Sequence, residues 1–208
     1  MEKMMSKNMT MRKKIEGVFV MICLLLLCVS GCAFKEAAIE KTTITLKKDS
    51  SIVQTIVEDF PSGYSLDELM DKNRLEVEQY NNSVNDEAIT IKETTLENGK
   101  VTLVMKYADA EAYQNLNNVQ FFNSTLKIAS ALGYDMDVKM TSAEDGRIVT
   151  CKDLALQDEE MHLVIISEPV DVKTYKEILY VSEGVALSEN KKLATIEAEQ
   201  TPAYIVFK

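Results

Sequence analysis

The sequence predicts an α+β fold, in which a mainly antiparallel sheet built from hairpins carries two or three helices on one face. Asn98-Gly99 separates two segments of alternating polarity and favours a type I′ turn, because both central residues of that turn need a positive φ. Asp145-Gly146 marks another hairpin turn. Residues 65–80 place apolar side chains at helical spacing. Strands joined mostly by tight turns favour antiparallel pairing, with helices inserted on one face.

The predicted domain opens with a hairpin. Residues 42–47 alternate in polarity, with Ile44 and Leu46 on one face, and residues 52–60 are again rich in strand-forming side chains. Residues 49–51 lie between the two segments and carry a turn signal.

A helix is predicted after the break at Pro61-Ser62-Gly63. Ser65, with Glu68 three residues later, has the pattern of a capping box, which places the helix start near residue 65. Its apolar positions are Leu66, Leu69, Met70, Val77 and Tyr80.

Two shorter helices are predicted further along the chain. Asp109 can cap the first, which runs through Asn115, and Asn123 or Ser124 can cap the second. Gly133 suits the C′ position after the second helix. The side chains expected to point inward from the second helix are those of Leu126, Ala129 and Leu132.

The remaining segments are predicted as strands. The turns at residues 98–99 and 145–146 join residues 88–97 to 100–107 and residues 137–140 to 147–152. Four further strands are predicted at Met161–Ser167, Ile178–Val181, Ala194–Ala198 and Ala203–Phe207.

The N-terminal segment has the pattern of an export signal. A basic stretch is followed by an uncharged apolar run, residues 18–29, which is shorter than the roughly 20 residues that span a bilayer as a helix. The run ends in Val29-Ser30-Gly31-Cys32, which resembles the lipobox of bacterial lipoproteins.

The lipobox resemblance implies that a diacylglyceryl group is attached to the Cys32 sulfur and that signal peptidase cuts between Gly31 and Cys32. The expected organisation is a signal peptide over residues 1–31, a lipidated N-terminus and tether over residues 32–41, and one α+β domain over residues 42–208. The protein is then expected on the extracytoplasmic face of the cell membrane. The alternative is an N-terminal membrane helix in which Cys32 has no role.

The rest of the chain resembles uncharacterised small surface lipoproteins of Gram-positive bacteria. These proteins open with a hairpin like residues 44–49 and close on an aromatic-rich strand like residues 203–208. The resemblance includes no catalytic signature and implies no functional residue besides Cys32.

Charge and cysteine content argue against several classes of partner and site. Without residues 1–31 the chain has 18 basic and 31 acidic residues, a formal net charge of −13, which disfavours nucleic acid and anionic lipid surfaces. Cys151 is then the only free thiol, so no intramolecular disulfide is expected. A lone thiol could be reactive or could pair between molecules, and we interpret Cys151 as an inert apolar residue on a strand.

The sequence assembles no familiar catalytic or metal set. His162 is the only histidine and is expected on the solvent-facing side of a strand. It lacks the partners of a zinc site, and no nucleophile-elbow or phosphate-loop motif accompanies it. No metal or cofactor is predicted.

Two clusters of carboxylates remain as candidates for a hydrolase. Asp135, Asp137 and Asp145 form one, and residues 158–160 form the other. Neither has the spacing of a calcium loop, and we interpret both as solvated turns.

Aromatic residues concentrate between Tyr107 and Tyr134, interleaved with asparagines. Tyr113, Phe121 and Phe122 could form a binding face for a sugar or peptide, or could pin short helices to the sheet. Because Phe121 and Phe122 are adjacent, they should point in opposite directions on a regular element.

The sequence therefore favours a lipid-anchored, non-catalytic binding or structural module, whose expected partners are the membrane and a cell-envelope protein or glycan. The alternative function is a cell-envelope hydrolase that uses paired carboxylates.

Overall fold

Two sheets and four helices make up the described part of the chain, which comprises residues 41–197 and 202–208 of a computed structural model. The helices are α1 (Leu66–Val84), α2 (Ala110–Asn117), α3 (Leu126–Ala131) and α4 (Cys151–Gln157). The first seven strands are β1 (Thr43–Leu46), β2 (Ile52–Asp59), β3 (Ile89–Glu97), β4 (Lys100–Tyr107), β5 (Phe121–Thr125), β6 (Lys139–Ser142) and β7 (Ile148–Thr150). The others are β8 (His162–Ile166), β9 (Asp171–Lys173), β10 (Ile178–Ser182), β11 (Val185–Leu187), β12 (Leu193–Ile196) and β13 (Ala203–Phe207).

The strands are divided between a seven-stranded and a six-stranded sheet. The first has the order β11-β12-β9-β1-β2-β4-β3, and the second has the order β5-β8-β13-β10-β6-β7. Neighbouring strands pair antiparallel, except that β1 and β9 are parallel. The predicted α+β class with antiparallel pairing is confirmed, and the hairpins are distributed over two sheets.

The larger hydrophobic cluster draws on both sheets, and we call it the cluster between the sheets. Ile44 on β1 and Met105 on β4 come from the seven-stranded sheet, whereas Ile205 and Phe207 on β13 come from the six-stranded sheet. All four are at most 5% exposed. Burial of apolar surface at roughly 25 cal/mol per Å² is the main force that holds such layers together.

The six-stranded sheet is covered on its other face by α3 and α4. Leu126 of α3 and Leu154 of α4 belong to a second buried cluster, which we call the cluster beneath the helices, together with Leu163, Tyr204 and other side chains of this face. The alternation of Tyr204 and Ile205 between the two clusters follows from the two-residue period of a strand.

Several local signals act as predicted. The Ser65 side chain accepts a hydrogen bond from the backbone of Glu68, and α1 begins immediately after this cap. Asn98 and Gly99 both have positive φ and join β3 to β4. Asp109 caps α2, which extends two residues beyond the predicted end.

Three local predictions are wrong. Neither Asn123 nor Ser124 caps a helix, because both lie on β5 and Thr125 is the N-cap of α3. Leu132 is 66% exposed instead of facing inward. The strand predicted to continue to residue 152 stops at Thr150, which caps α4.

Candidate functional site

The predicted binding face of Tyr113, Phe121 and Phe122 is not on the surface. Their side chains are at most 7% exposed. Phe121 belongs to the cluster between the sheets and Phe122 to the cluster beneath the helices, so the two rings do point in opposite directions, as predicted. The face is excluded because both sides of β5 are covered, and these aromatics serve as core residues.

The residues of the predicted lipobox, Val29, Ser30, Gly31 and Cys32, lie outside the described part of the chain.

Tyr113 forms part of a buried hydrogen-bond chain. Tyr107 Oη donates to Gln54 Oε1 at 2.6 Å, Gln54 Nε2 donates to Tyr113 Oη at 3.2 Å, and Tyr113 Oη donates to Glu168 Oε1 at 2.6 Å. Asn117 Nδ2 donates to Tyr107 Oη at 3.3 Å and begins the chain. Each group in the hydrogen-bond chain therefore donates to the next, from Asn117 to the carboxylate of Glu168.

Burial and the carboxylate keep both tyrosines protonated. Burial raises the pKa of Tyr107 to about 12, with a smaller contribution from the charge of Glu168. Burial and then the Glu168 charge also raise the pKa of Tyr113 far above its usual value. Neutral phenols suit this arrangement because each hydroxyl both donates and accepts. The hydrogen-bond chain is therefore a stabilising network within the core.

His162 does not occupy the solvent-facing position predicted for it. The side chain is half-buried, and its ring stacks on Phe207 with a centroid distance of 5.1 Å. Its Nε2 lies 3.1 Å from Tyr175 Oη. The prediction is wrong because His162 pairs in register with Phe207 and shares its face of the sheet. Burial lowers the pKa of His162 and favours the neutral ring, against an opposing effect from Glu160.

Four of the six carboxylates in the two clusters, Asp145, Asp158, Glu159 and Glu160, form ion pairs with neighbouring cations, whereas Asp135 accepts a hydrogen bond from the backbone of Asp137. Lys208 pairs with Asp158, and Lys127 lies 2.7 Å from Glu159. Hydrogen bonds from Ser142 and the backbone of Arg147 lower the pKa of Asp145, and a hydrogen bond from Lys208 lowers that of Asp158. A general acid needs the opposite shift at neutral pH, so Asp145 and Asp158 are poorly suited to that role, which agrees with the interpretation of solvated turns.

Cys151 is buried but lies at the start of α4, not on a strand as predicted. Burial raises the pKa of its thiol to about 12, with a smaller contribution from Asp135. A thiol with so little thiolate at neutral pH is a poor nucleophile. The expected inert role agrees with this geometry.

A cleft of about 420 Å³ opens where one end of the six-stranded sheet meets a turn of the seven-stranded sheet. We call it the end cleft. Its lining residues are Ser142, Ala143, Glu144, Met161, Glu177, Ile178, Leu179, Tyr180 and Lys191. They come from the β6–β7 turn, the start of β8, the start of β10 and the β11–β12 turn.

Backbone irregularities shape the end cleft. The pairing of β10 with β13 shifts register between Ile178 and Tyr180, which leaves Leu179 in a bulge. The Leu179 carbonyl accepts a hydrogen bond from Ala143 N at 2.8 Å, and the Ile178 N–H donates to the Lys191 carbonyl at 2.7 Å. Bulges often occur beside functional sites because they redirect side chains. These two bonds fix three walls of the cleft relative to one another.

Three charged residues line the end cleft. Lys191 is half-buried, whereas Glu144 and Glu177 are exposed. None of the three side chains makes a hydrogen bond or ion pair with another described residue. Sequence reasoning missed all three, because they are far apart in the chain; only the turn beside Glu144 carried a local signal.

Within residues 41–197 and 202–208, no three His, Cys, Asp or Glu side chains are grouped so that they could hold a metal ion. The same residues include no helix that is both long and apolar enough to cross a bilayer.

Comparison of the chain with models of protein families, with curated proteins and with solved structures gives no match.

Proposed function

We propose that this chain is an extracytoplasmic binding protein, held on the outer face of the cell membrane by lipid on Cys32. The observation that carries the proposal is Val29-Ser30-Gly31-Cys32 at the end of a short apolar run with a basic segment in front. Each buried methylene contributes about 0.8 kcal/mol, and stable anchoring needs more than one chain. A diacylglyceryl group supplies two chains on one sulfur.

The position of the first strand supports display close to the membrane. The chain from Cys32 to the start of β1 at Thr43 is short, and even fully extended it spans at most about 40 Å. The proposed tether therefore keeps the domain near the bilayer and lets it reach ligands or partners in the cell envelope.

The end cleft supports a binding role. Its volume of about 420 Å³ falls within the range of small-molecule sites, about 300–1,000 Å³. Charged groups that have no partner among the described residues, placed beside apolar side chains, are the lining expected of a site that orients a polar ligand. The proposed partner of the displayed domain, as distinct from a small ligand of the cleft, is a cell-envelope protein or glycan, and the acidic charge of the chain disfavours nucleic acid.

The anchor is tested by Cys32→Ala with Cys28→Ala as the matched control, since both remove a sulfur near the cleavage site. Cys32→Ala should accumulate as uncut precursor or leave the detergent-extracted lipid fraction, whereas Cys28→Ala should behave like the parent. Mass spectrometry of the mature N-terminus gives the direct measurement. If Cys32→Ala is cut and partitions like the parent, the proposed anchor is refuted.

A second candidate function is a cell-envelope hydrolase, and the observation that favours it is the presence of Glu144 and Glu177 in one cleft. Paired carboxylates can supply the acid and the base or nucleophile of glycoside hydrolysis. Release of reducing ends from cell-wall polysaccharide, abolished by Glu144→Gln and by Glu177→Gln, would establish it. Binding without turnover would leave the binding function alone.

A further inference from the structure

We propose that the end cleft binds a small zwitterion, the class that includes free amino acids and short peptides. The inference names the ligand of the proposed binding function and does not depend on the lipid anchor. It rests on three features of the cleft: opposite charges without partners among the described residues, apolar side chains in part of the wall, and a lysine in an unfavourable backbone conformation.

The charged side chains of the cleft favour a ligand that carries both a positive and a negative group. Lys191 offers an ammonium group to an anion, and Glu144 and Glu177 offer carboxylates to a cation. An anion alone would meet two repulsive carboxylates, and a cation alone would meet a repulsive ammonium group. A zwitterion can satisfy both kinds of group at once.

The remaining lining suits a ligand with an apolar portion. Met161, Ile178, Leu179 and Tyr180 supply side chains or backbone to the wall. Met161 and Tyr180 pack against the cluster beneath the helices and are only half-buried, so part of each remains available to a ligand. A bulky aliphatic or aromatic amino acid, or a dipeptide of such residues, fits this chemistry best.

The backbone at Lys191 gives an independent reason to assign it a role. Lys191 has a φ of 53°, in the left-handed region, and its N–H donates to the Ser188 carbonyl at 2.9 Å. Hairpin loops of this kind usually place glycine there, since other residues pay a conformational penalty. Residues held in such conformations cluster at ligand sites.

The first experiment is calorimetric titration of the purified full chain with the common amino acids and their homodipeptides. For the tightest ligand, the titration is repeated with the carboxyl group blocked as an amide and with the amino group blocked by acetylation. Each blocked form should bind about three- to tenfold more weakly than the zwitterion, as expected for loss of one partly exposed charge pair.

The second experiment assigns the charges to residues. Lys191→Gln should weaken the zwitterion by the same factor and abolish the difference between the free carboxyl and the amide. Lys192→Gln is the matched control, because it removes the same charge from the exposed neighbouring residue, which does not line the cleft. Glu144→Gln and Glu177→Gln together should abolish the difference between the free and acetylated amine.

Lys191→Gly separates binding from folding. It removes the charge and relieves the left-handed backbone, so the urea midpoint should stay or rise while the zwitterion binds more weakly. The proposal is overturned if no compound of the panel binds at about 10 mM, or if Lys191→Gln weakens the free acid and the amide equally. Binding of calcium ions in place of any zwitterion would also overturn it. Loss of anchoring in Cys32→Ala bears only on the proposed location.

Discussion

Tyr113→Phe should reveal how strongly the buried hydrogen-bond chain holds the core. The substitution removes one oxygen and leaves the ring, so the contact with Phe121, at a centroid distance of 4.7 Å, is retained. Two hydrogen bonds are lost: the one donated to Glu168 at 2.6 Å and the one accepted from Gln54 at 3.2 Å. Gln54 is 5% exposed, so water cannot readily replace the lost partner.

The magnitude follows from these two bonds. A hydrogen bond to a charged group contributes about 1.5–3 kcal/mol, and a buried donor left short of its partner costs at least about 1 kcal/mol. Tyr113→Phe should therefore lower the free energy of unfolding by about 3 kcal/mol. For a domain of this size that corresponds to a fall in Tm of about 6–12 °C.

Urea unfolding followed by far-ultraviolet circular dichroism measures the change, since the chain has no tryptophan. The m-value should stay the same, which would show that the variant unfolds the same surface. Tyr64→Phe is the matched control, because Tyr64 is 74% exposed and its change should stay within about 0.5 kcal/mol.

Combining Tyr113→Phe with Glu168→Gln tests the charged bond itself. The cost of Tyr113→Phe should fall by about 1 kcal/mol in the Glu168→Gln background, because the neutral amide is a weaker acceptor. A loss below about 0.5 kcal/mol for Tyr113→Phe in the parent would refute the assignment of a stabilising network.

Three further outcomes are expected. The Cys151 thiol, with its pKa raised to about 12, should react with a disulfide reagent only after unfolding, as measured by mass mapping of the labelled cysteine; rapid labelling of the native chain would contradict its burial. Because burial lowers the pKa of His162, the unfolded state binds its proton first, and stability should fall as pH drops from about 7 to 5. His162→Phe should reduce this dependence of stability on pH, as measured by urea midpoints across the same pH range. If the dependence is unchanged in His162→Phe, another group causes it. Gly99→Ala should lower the free energy of unfolding by about 1–2 kcal/mol, because Gly99 has a φ of 75° that other residues adopt unfavourably. No atom lies within 4 Å of an added Cβ, so the cost comes from the backbone conformation and not from a clash. Gly63→Ala, also at positive φ, should cost a similar amount.

Features set by neighbouring residues could be read from the sequence. Ser65 and Asp109 cap their helices because the side chain acts on backbone only three residues away. Asn98-Gly99 sets a turn because its φ values depend on the two residues themselves. The same kind of signal was available for α4, where Thr150 and Asp153 form a capping box in the Thr-x-x-Asp pattern.

Features set by distant pairing could not be read in the same way. Residues 121–125 form a strand because β8 pairs with them, although Asn123 and Ser124 also suit helix caps. The burial of Phe121 and Phe122 depends on the distant segments that cover each face of β5, and no local sequence pattern identifies those segments. The end cleft joins four separate segments, and its bulge at Leu179 and its left-handed Lys191 carry no compositional mark.

The parallel pairing of β1 with β9 bears on when this domain can fold. Thr43 at the start of the first strand is opposite Asp171, near the other end of the chain, so the seven-stranded sheet cannot close until most of the polypeptide is available. Closing so long a loop is entropically slow, and topologies rich in distant contacts reach the native state late. A nascent chain still attached to the ribosome would therefore have β1 without its second neighbour. Such a delay would suit the proposed lipid-anchored location, because an exported polypeptide crosses the membrane before it adopts its final shape.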